Sequence, residues 1–258
     1  MNRRKIAAIA ILCVVVVTAV VAISVRRKLS LSYSEDHGDI ILIRLGVVNS
    51  FVIKGKDRLV IVDTGEYGNE NRIISEIRNR GFDPGRVSLI VITHGHLDHY
   101  GSASALRRLT GAPVAAHVND SDYMKRGIYA PVKPINVLGS MIKLLFIDEN
   151  KKIPGVIPDI VISDDLDLRT YGVEGKVIPT PGHTSGSVSV ILDSGDCIVG
   201  DTLMDYTGPD YAVFAEDKEC LKKSVMQLMG RCAPERILLS HGTICDQKSV
   251  RTILRKDP

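Results

Sequence analysis

The sequence predicts one α/β domain preceded by an apolar amino-terminal segment. Short β-branched runs alternate with amphipathic helical segments over most of the chain, which is the order expected of an α/β fold. Histidine and aspartate follow several of the predicted strands directly. The chain has 258 residues, a net charge of +3 and 45% hydrophobic residues, values that exclude a disordered tail and a nucleic-acid-binding protein dominated by basic charge.

The amino-terminal segment, residues 6–25, is apolar except for Thr18 and Ser24. As a helix it would span about 30 Å, the thickness of the hydrocarbon core of a bilayer. Three basic residues precede it and three follow it, at positions 3–5 and 26–28. We therefore expect residues 1–28 to form a single-pass transmembrane anchor, with the domain that follows it on the extracytoplasmic side. A cleaved secretory signal is the alternative, because small residues near Ala22 resemble a cleavage site.

Residues 29–258 have the length of one α/β domain. β-Branched and aliphatic runs predict strands over residues 40–45, 49–53, 59–62, 87–92, 113–116, 176–178, 187–192, 197–199 and 237–240. Apolar residues at helical spacing predict helices over residues 69–80, 102–109, 135–147, 217–229 and 247–255. The first helix ends at Gly81, a usual helix C-terminal signal, and the second is followed by Gly111. The run 87–92, which is apolar except for Ser88, is typical of a strand buried on both faces.

The most informative stretch is Thr93-His94-Gly95-His96-Leu97-Asp98-His99, directly after the predicted strand 87–92. Neutral imidazole is the commonest metal-binding side chain and carboxylate is its usual partner, so this pattern predicts a site for divalent metal ions. Alternate residues of a loop can face one way. His94 and His96 could therefore hold one ion while Asp98 and His99 reach a second.

Three further residues of the same types follow later strands. His183 comes after strand 176–178, Asp201 after strand 197–199, and His241 after strand 237–240. Loops at one end of a sheet sandwich are where such residues would meet. The two remaining histidines, His37 and His117, have no ligand partner nearby and are predicted not to bind metal.

Together these motifs resemble those of the metallo-β-lactamase-fold hydrolase superfamily. In chain order they are Asp63-Thr64-Gly65, His94-x-His96-x-Asp98-His99, His183 within Pro-Gly-His-Thr-Ser-Gly, Gly200-Asp201-Thr202 and Ser240-His241-Gly242. The resemblance implies a four-layer αβ/βα sandwich, with helices outside two facing sheets and the metals at one edge. It also implies that His94, His96 and His183 bind a first ion, that Asp98, His99 and His241 bind a second, and that Asp201 bridges them.

The function that this resemblance implies is that of a binuclear metal-dependent hydrolase, with two Zn²⁺ ions and with iron or manganese as alternatives. Three protein ligands for each ion and a shared carboxylate leave room for a bridging hydroxide and for substrate. The hydroxide would attack an ester, lactone, thioester or phosphodiester, and Asp98 would orient it. Asp63 would support a ligand loop or histidine from behind the metal ligands.

The bridging residue bears on the branch of the superfamily. Members that hydrolyse β-lactams commonly have Cys or His where this sequence has Asp201, so the position resembles the glyoxalase, lactonase and phosphodiesterase branches. Glyoxalase-type thioesterases carry a helical region after the last histidine, whereas this sequence ends soon after His241. A β-lactamase-like amide hydrolase and an iron-dependent redox enzyme remain alternatives, although no flavodoxin-like domain accompanies the motifs.

The irregular segment 119–165, broken by several prolines and glycines, is predicted to cover the active site. It is rich in apolar residues, which suits a small-molecule substrate with an apolar or acyl part. Packing on the core and contact with a membrane surface are the alternatives. No basic stripe with interleaved aromatic residues indicates a nucleic-acid partner.

Overall fold

The computed structural model describes residues 33–206, 208–231 and 235–256. Its larger sheet has seven strands that are neighbours in chain order. These strands are β1 (Ser34–His37), β2 (Ile40–Leu45), β3 (Val48–Lys54), β4 (Leu59–Val62), β5 (Val87–Val91), β6 (Val114–His117) and β7 (Ile160–Ile162). The first four strands pair antiparallel, and β4 to β7 pair parallel.

The second sheet has six strands in the spatial order β15, β14, β11, β10, β9 and β8. Their bounds are β8 (Leu166–Asp167), β9 (Gly175–Pro179), β10 (Val188–Leu192), β11 (Asp196–Ile198), β14 (Arg236–Leu238) and β15 (Ile244–Cys245). Only β11 and β14 pair parallel in this sheet. A separate two-stranded ribbon consists of β12 (Leu203–Asp205) and β13 (Pro209–Tyr211).

The α-helices are α1 (Glu70–Asn79), α2 (Leu97–Tyr100), α3 (Ala103–Thr110), α4 (Ser121–Arg126), α5 (Val137–Phe146), α6 (Lys218–Arg231) and α7 (Gln247–Lys256). Each helix and strand predicted from the sequence has a counterpart here, with bounds shifted by a few residues. Among the described residues, the α-helices and strands that the sequence patterns missed are two short α-helices and six short strands. A segment such as β1, with the sequence Ser-Glu-Asp-His, carries no apolar pattern and extends only because it pairs with β2.

Three apolar clusters stack the elements into four layers. Between the sheets, alternate side chains such as Ile40 and Leu42 of β2 meet Val188 and Val190 of β10. On the opposite face of the first sheet, Ile41 and Ile43 pack with residues of α1 and α3. The outer face of the second sheet packs with α6 and α7. Successive side chains of a strand point to opposite faces, so the apolar residues of β2, which occupy every position except Arg44, bury both faces of the sheet. The predicted helix, sheet, sheet, helix arrangement is thus the one observed.

The prediction of a membrane-spanning helix requires correction. Within residues 33–206, 208–231 and 235–256, no helix is both long enough and apolar enough to cross a bilayer. The longest described helix, α6, has 14 residues and spans about 21 Å, against about 30 Å of hydrocarbon. A fold that includes a transmembrane helix, and the membrane location that depended on it, are therefore wrong for the part of the chain that the structure describes. Residues 6–25, on which the prediction was placed, lie outside that part.

Candidate metal centre

The predicted site residues lie at one edge of the sandwich, each just beyond the carboxyl end of a strand. His94, His96, Asp98 and His99 follow β5, with Asp98 and His99 on the short helix α2. His183 follows β9, Asp201 follows β11 and His241 follows β14. A close backbone contact sets this edge: a Cβ atom on Gly200 would lie 2.9 Å from Thr93 Cβ, so only glycine lets the two loops approach.

The first group of donor atoms comes from His94, His96, His183 and Asp201, all of which are buried. His183 Nε2 lies 3.2 Å from His94 Nε2 and 3.1 Å from His96 Nδ1, and the last two atoms are 3.1 Å apart. Nitrogen ligands of a tetrahedral zinc ion, at about 2.0–2.1 Å from the metal, would be about 3.3–3.4 Å apart. The triangle of ring nitrogens therefore has the size of one face of such a coordination shell.

The second group comes from Asp98, His99 and His241. His241 Nε2 lies 3.4 Å from His99 Nε2 and 3.3 Å from Asp98 Oδ2. The two histidines are almost fully buried, whereas the side chain of Asp98 is 24% exposed. Asp98 is therefore the member of the set that solvent or a substrate can reach.

Asp201 lies between the two groups. Its Oδ2 atom is 3.5 Å from both His183 Nε2 and His241 Nε2, and its Oδ1 atom is 3.6 Å from His99 Nε2. Oδ1 is buried and has no hydrogen-bond partner among the described residues. A buried carboxylate oxygen without a donor is costly unless a cation satisfies it, so this position fits a shared metal ligand.

Hydrogen bonds on the far side of the rings orient their free nitrogens. Nδ1 of His183 lies 2.8 Å from the carbonyl oxygen of Phe214, and Nδ1 of His241 lies 3.0 Å from that of Val47. Carbonyl oxygens only accept, so each Nδ1 must donate, and in the neutral ring that binds a metal each Nε2 presents its lone pair to the cluster. His99 is held in the same way, with Nδ1 2.8 Å from Asp63 Oδ2. Lone pairs that converge at 3.2–3.4 Å fit a cation between them, and the donor set therefore fits divalent metal ions.

The pKa values of the clustered histidines differ, because burial lowers them and neighbouring carboxylates raise them. Burial and the surrounding histidines hold the pKa values of His94 and His183 well below the ordinary value, and burial is the main reason that the pKa of His96 falls to about 4. Burial also lowers the pKa of His99, but the carboxylates of Asp201, Asp63 and Asp98 outweigh it and raise the value to about 10. The rings of the first group are thus neutral, as metal ligands must be, whereas the carboxylates around His99 favour the charged form of its ring.

The carboxylate of Asp63 forms hydrogen bonds with three residues next to or among the predicted ligands, Thr93, His99 and Ser240. Its carboxylate accepts hydrogen bonds from the backbone N–H and the hydroxyl of Thr93, from His99 Nδ1 and from the Ser240 hydroxyl, at 2.8–3.2 Å. It has a φ of 58°, the left-handed region, which among non-glycine residues asparagine and aspartate tolerate best. The side chain predicted to support the ligands therefore reaches loops after β4, β5 and β14.

Several supporting groups were not identified from the sequence. The Thr93 hydroxyl donates a hydrogen bond to Asp63 and accepts one from His94 Nδ1. The Ser240 hydroxyl donates to the same carboxylate and so connects the His241 loop to it. Both flank predicted ligands, which is the signal that could have identified them. The carbonyl acceptors of Val47 and Phe214 carry no sequence signal at all. His37 and His117, predicted not to bind metal, belong to neither donor group.

Comparison with known proteins places these motifs in a family context. Residues 43–241 match the sequence family described as the metallo-beta-lactamase superfamily. The protein named "Probable metallo-hydrolase YflN" of Bacillus subtilis is 28% identical over 220 residues, which cover 76% of this chain and 79% of the relative. The protein named "Probable metallo-hydrolase MJ0888" of Methanocaldococcus jannaschii is 29% identical over 203 residues, with coverage of 77% and 89%.

Solved structures with the same arrangement include two metallo-beta-lactamases. A B3 metallo-beta-lactamase with an active-site glutamic acid gives a TM-score of 0.64 at 22% identity, with 91% of each chain covered. A Cronobacter sakazakii metallo-beta-lactamase with a HARLDQ motif gives a TM-score of 0.65 at 17% identity, with 90% of this chain and 93% of that chain covered. Identities this low show a shared fold and carry no information about substrate.

Proposed function

The chain belongs to the metallo-β-lactamase superfamily and is a metallo-hydrolase of that superfamily that acts on a small molecule, and from this premise we propose that it is a binuclear enzyme. In this proposal His94, His96 and His183 hold one Zn²⁺ ion, Asp98, His99 and His241 hold a second, and Asp201 is shared. The observation that carries it is the convergence of the Nε2 atoms of His183, His99 and His241 on the buried carboxylate of Asp201.

The chemistry follows from what this site would contain. Two divalent cations held there would lower the pKa of water and polarise the carbonyl or phosphoryl oxygen of a substrate. Asp98 is the group placed to manage the proton, because its Oδ2 contacts His241 while the side chain remains 24% exposed. Burial raises the pKa of Asp98, but His99 and His241 outweigh that effect and keep the pKa well below its usual range. Asp98 therefore enters the reaction as a carboxylate, able to accept a proton from the attacking water and pass it to the leaving group.

The substrate that we propose is an ester, lactone or thioester with an apolar acyl part. The support lies in the covering segment, residues 119–165. This segment contacts both halves of the ligand edge: the N–H of Ala130 donates to the Gly95 carbonyl at 2.8 Å, and the N–H of Ile135 donates to the Val213 carbonyl at 3.0 Å. An ion pair between Lys151 and Glu66, at 3.3 Å, attaches it next to the Asp63 loop. A chain that is attached on both sides of the metal edge is placed to contact whatever binds there.

The helix α5 of the covering segment exposes an apolar surface. Its exposed large apolar side chains are Val137, Leu138, Met141, Leu144, Leu145 and Phe146. Leu144 is 84% exposed and Phe146 is 67% exposed. The one charged residue of the helix, Lys143, turns inward to the Val132 carbonyl at 2.7 Å and to Glu149 at 2.9 Å. Exposed apolar patches of this kind mark binding surfaces more often than scattered apolar residues do, and an acyl chain suits this one.

The experiment is a substrate screen on purified protein reconstituted with Zn²⁺, Mn²⁺ or Fe²⁺. Esters, lactones and thioesters with short and long acyl chains are compared with phosphodiesters and β-lactams, and bound metal is measured by elemental analysis. We expect two ions per chain and the highest kcat/KM for a long-chain ester, lactone or thioester. A protein that binds no metal tightly, or that turns over none of these classes, would contradict the proposal.

Two ligand substitutions test the residue assignments. We expect Asp98→Ala to lower kcat by about 10²–10⁴-fold, as loss of a proton-transfer group does, and His183→Ala to abolish turnover. Circular dichroism should stay close to that of the wild type in both. His37→Ala is the matched control, because His37 belongs to neither donor group and its side chain pairs with Glu35. Retained activity in either ligand variant would refute the assignment of that residue.

A further inference from the structure

A buried carboxylate outside the ligand set connects two of the ligand loops. Asp120 lies at the start of α4 and is 1% exposed. Its Oδ2 atom accepts a hydrogen bond from the backbone N–H of Gly95 at 2.7 Å and a second from the Thr184 hydroxyl, also at 2.7 Å. Gly95 lies between His94 and His96, and Thr184 directly follows His183. One oxygen atom therefore bridges the two loops that supply all three histidines of the first donor group.

The Gly95 peptide is held on both sides. Asp120 accepts from its N–H, and the N–H of Ala130 donates to its carbonyl oxygen at 2.8 Å. A Cβ atom at position 95 would lie 3.1 Å from Asp120 Cβ and 3.2 Å from Ala130 Cβ, so the contact is close on both flanks. The peptide that joins His94 to His96 has little freedom to rotate, which determines where the two rings point.

The contact with the His183 loop is also directional. The Thr184 hydroxyl has one proton and gives it to Asp120, so it accepts from the hydroxyl of Ser187 at 2.9 Å. Ser187 in turn accepts from the backbone N–H of Thr184 at 3.0 Å. Asn119 adds a bond from its side-chain amide to the Ser185 carbonyl at 3.0 Å. The tight turn that carries His183 is therefore closed internally and attached to the chain at Asp120.

Asp120 is buried without a cationic partner among the described residues. The hydrogen-bond donors to its Oδ2 atom, the Gly95 amide and the Thr184 hydroxyl, are neutral, and burial raises the pKa of its carboxyl to about 6. A buried carboxylate without a cation destabilises a fold, so a packing role alone does not account for its presence. A metal ion held by His94, His96 and His183 would supply positive charge next to the peptide that Asp120 binds.

We propose that Asp120 is a positioning residue for the first metal ion, and that it presets the distance between the His94/His96 loop and the His183 loop through the Gly95 amide and the Thr184 hydroxyl. This inference rests on the proposed function, since it presumes that the three histidines bind an ion. It assigns the two buried carboxylates different parts of the edge: Asp63 contacts His99 and the loops after β5 and β14, whereas Asp120 connects the loops after β5 and β9.

The test measures metal affinity rather than turnover. Metal-free wild type and Asp120→Ala are titrated with Co²⁺ against a competing chelator, and each ion is followed by its visible absorption. His183→Ala and His241→Ala serve as references that identify the absorption of the second and the first ion, respectively. We expect Asp120→Ala to bind the first ion about 10–100-fold more weakly, the usual cost of losing a group that supports metal ligands, and to bind the second ion within about 3-fold of wild type.

A conservative pair at position 184 tests the hydrogen bond itself. Thr184→Val removes the hydroxyl at nearly constant shape and should lower the affinity for the first ion. Thr184→Ser keeps the hydroxyl and should bind the first ion as tightly as the wild type does. The double variant Asp120→Ala/Thr184→Val should be no weaker than Asp120→Ala alone, because both changes remove the same contact. If Asp120→Ala fails to fold, the Thr184 pair decides the question.

The matched control is Asp196→Ala. Asp196 is also a buried carboxylate, 5% exposed, but it pairs with Arg236 at the end of β11 remote from Asp201. We expect Asp196→Ala to lower the unfolding midpoint without changing the affinity of either ion. The proposal would be overturned if Asp120→Ala bound the first ion as tightly as the wild type does. It would also be overturned if the affinities for both ions fell together, in proportion to the loss of thermal stability. Absence of any bound ion in the wild type would instead refute the proposed function.

Discussion

The ligand edge and the helix α5 of the covering segment lie close along the chain but are built in opposite ways. At the edge, His94, His99 and His183 are at most 1% exposed, and each ring has its second nitrogen bonded to an oxygen. On α5, Leu144 and Phe146 are mostly exposed and have no comparable partners. Polar groups here are enclosed and apolar groups face solvent, the reverse of an ordinary protein interior.

This contrast separates two tasks. Enclosed ligands that are held by second hydrogen bonds provide a fixed geometry, which is what bond-breaking chemistry needs. An exposed apolar helix provides little geometry but much contact area, which is what recognition of an acyl chain needs. We therefore expect changes at the edge to lower kcat for every substrate, and changes on α5 to alter KM for substrates with long apolar parts.

The largest effect should follow from removing the metal ions. Treatment with a chelator should abolish turnover of all substrates, and added Zn²⁺ should restore it. The same treatment should lower the unfolding midpoint, because ligands that bind only the native state stabilise it by about 2.7 kcal/mol at 100 times their Kd. Differential scanning calorimetry with and without metal measures this change. Full activity after exhaustive chelation would show that turnover does not depend on metal ions at the ligand edge.

The next largest effect should come from Gly95→Ala. The added Cβ would meet Asp120 Cβ at 3.1 Å and Ala130 Cβ at 3.2 Å, so these neighbours or the peptide between His94 and His96 must give by a few tenths of an ångström. A displacement of about 1 Å can cost about 10²-fold in rate, so for this smaller shift we expect kcat to fall by about 10-fold with KM little changed. Gly230→Ala is the control, because a Cβ at this helical position meets nothing within 4 Å. Equal kinetics for the two variants would show that the edge tolerates movement.

A more selective effect is expected on α5. The double change Leu144→Gln/Phe146→Gln should raise KM for long-chain substrates by about 10-fold, since part of the roughly 1.5–3 kcal/mol per buried apolar side chain is lost. Kinetics on a short-chain substrate should not change. Met226→Gln on α6, at a residue that is 61% exposed, controls for the loss of an exposed apolar side chain elsewhere. If KM rises equally for short and long chains, α5 does not recognise the acyl part.

The smallest effect should come from Lys151→Ala. This change breaks the ion pair with Glu66, in which the side chains of Lys151 and Glu66 are 43% and 51% exposed. Exposed pairs contribute about 0–1 kcal/mol, so we expect a change in unfolding free energy within that range and less than about 3-fold in KM. Urea denaturation and steady-state kinetics check both. A tenfold change in KM would show that this single contact holds the covering segment in place, and the two regions would then be less independent than we infer.

Much of the fold and of the candidate site was predictable from local patterns. The run of β5 is apolar except for the half-buried Ser88 because both faces of the strand are largely buried, and His94 to His99 follow it closely. The supporting residues were not predictable in the same way. Asp120 and Asp122 occupy similar positions in a polar stretch, yet Asp120 is 1% exposed and the side chain of Asp122 is 70% exposed. Only the packing of the His183 loop against α4 distinguishes them.

The sequence by itself determined which residues could bind metal and roughly where the longer strands and helices lie, because ligand chemistry and apolar periodicity are properties of short stretches of chain. The tertiary structure alone decided which nitrogen of each ring faces the cluster and which carboxylates hold the loops. His241 takes its acceptor from Val47, 194 residues away, and Asp120 meets Thr184 across 64 residues. Such contacts depend on how the two sheets stack, which short-range patterns do not encode.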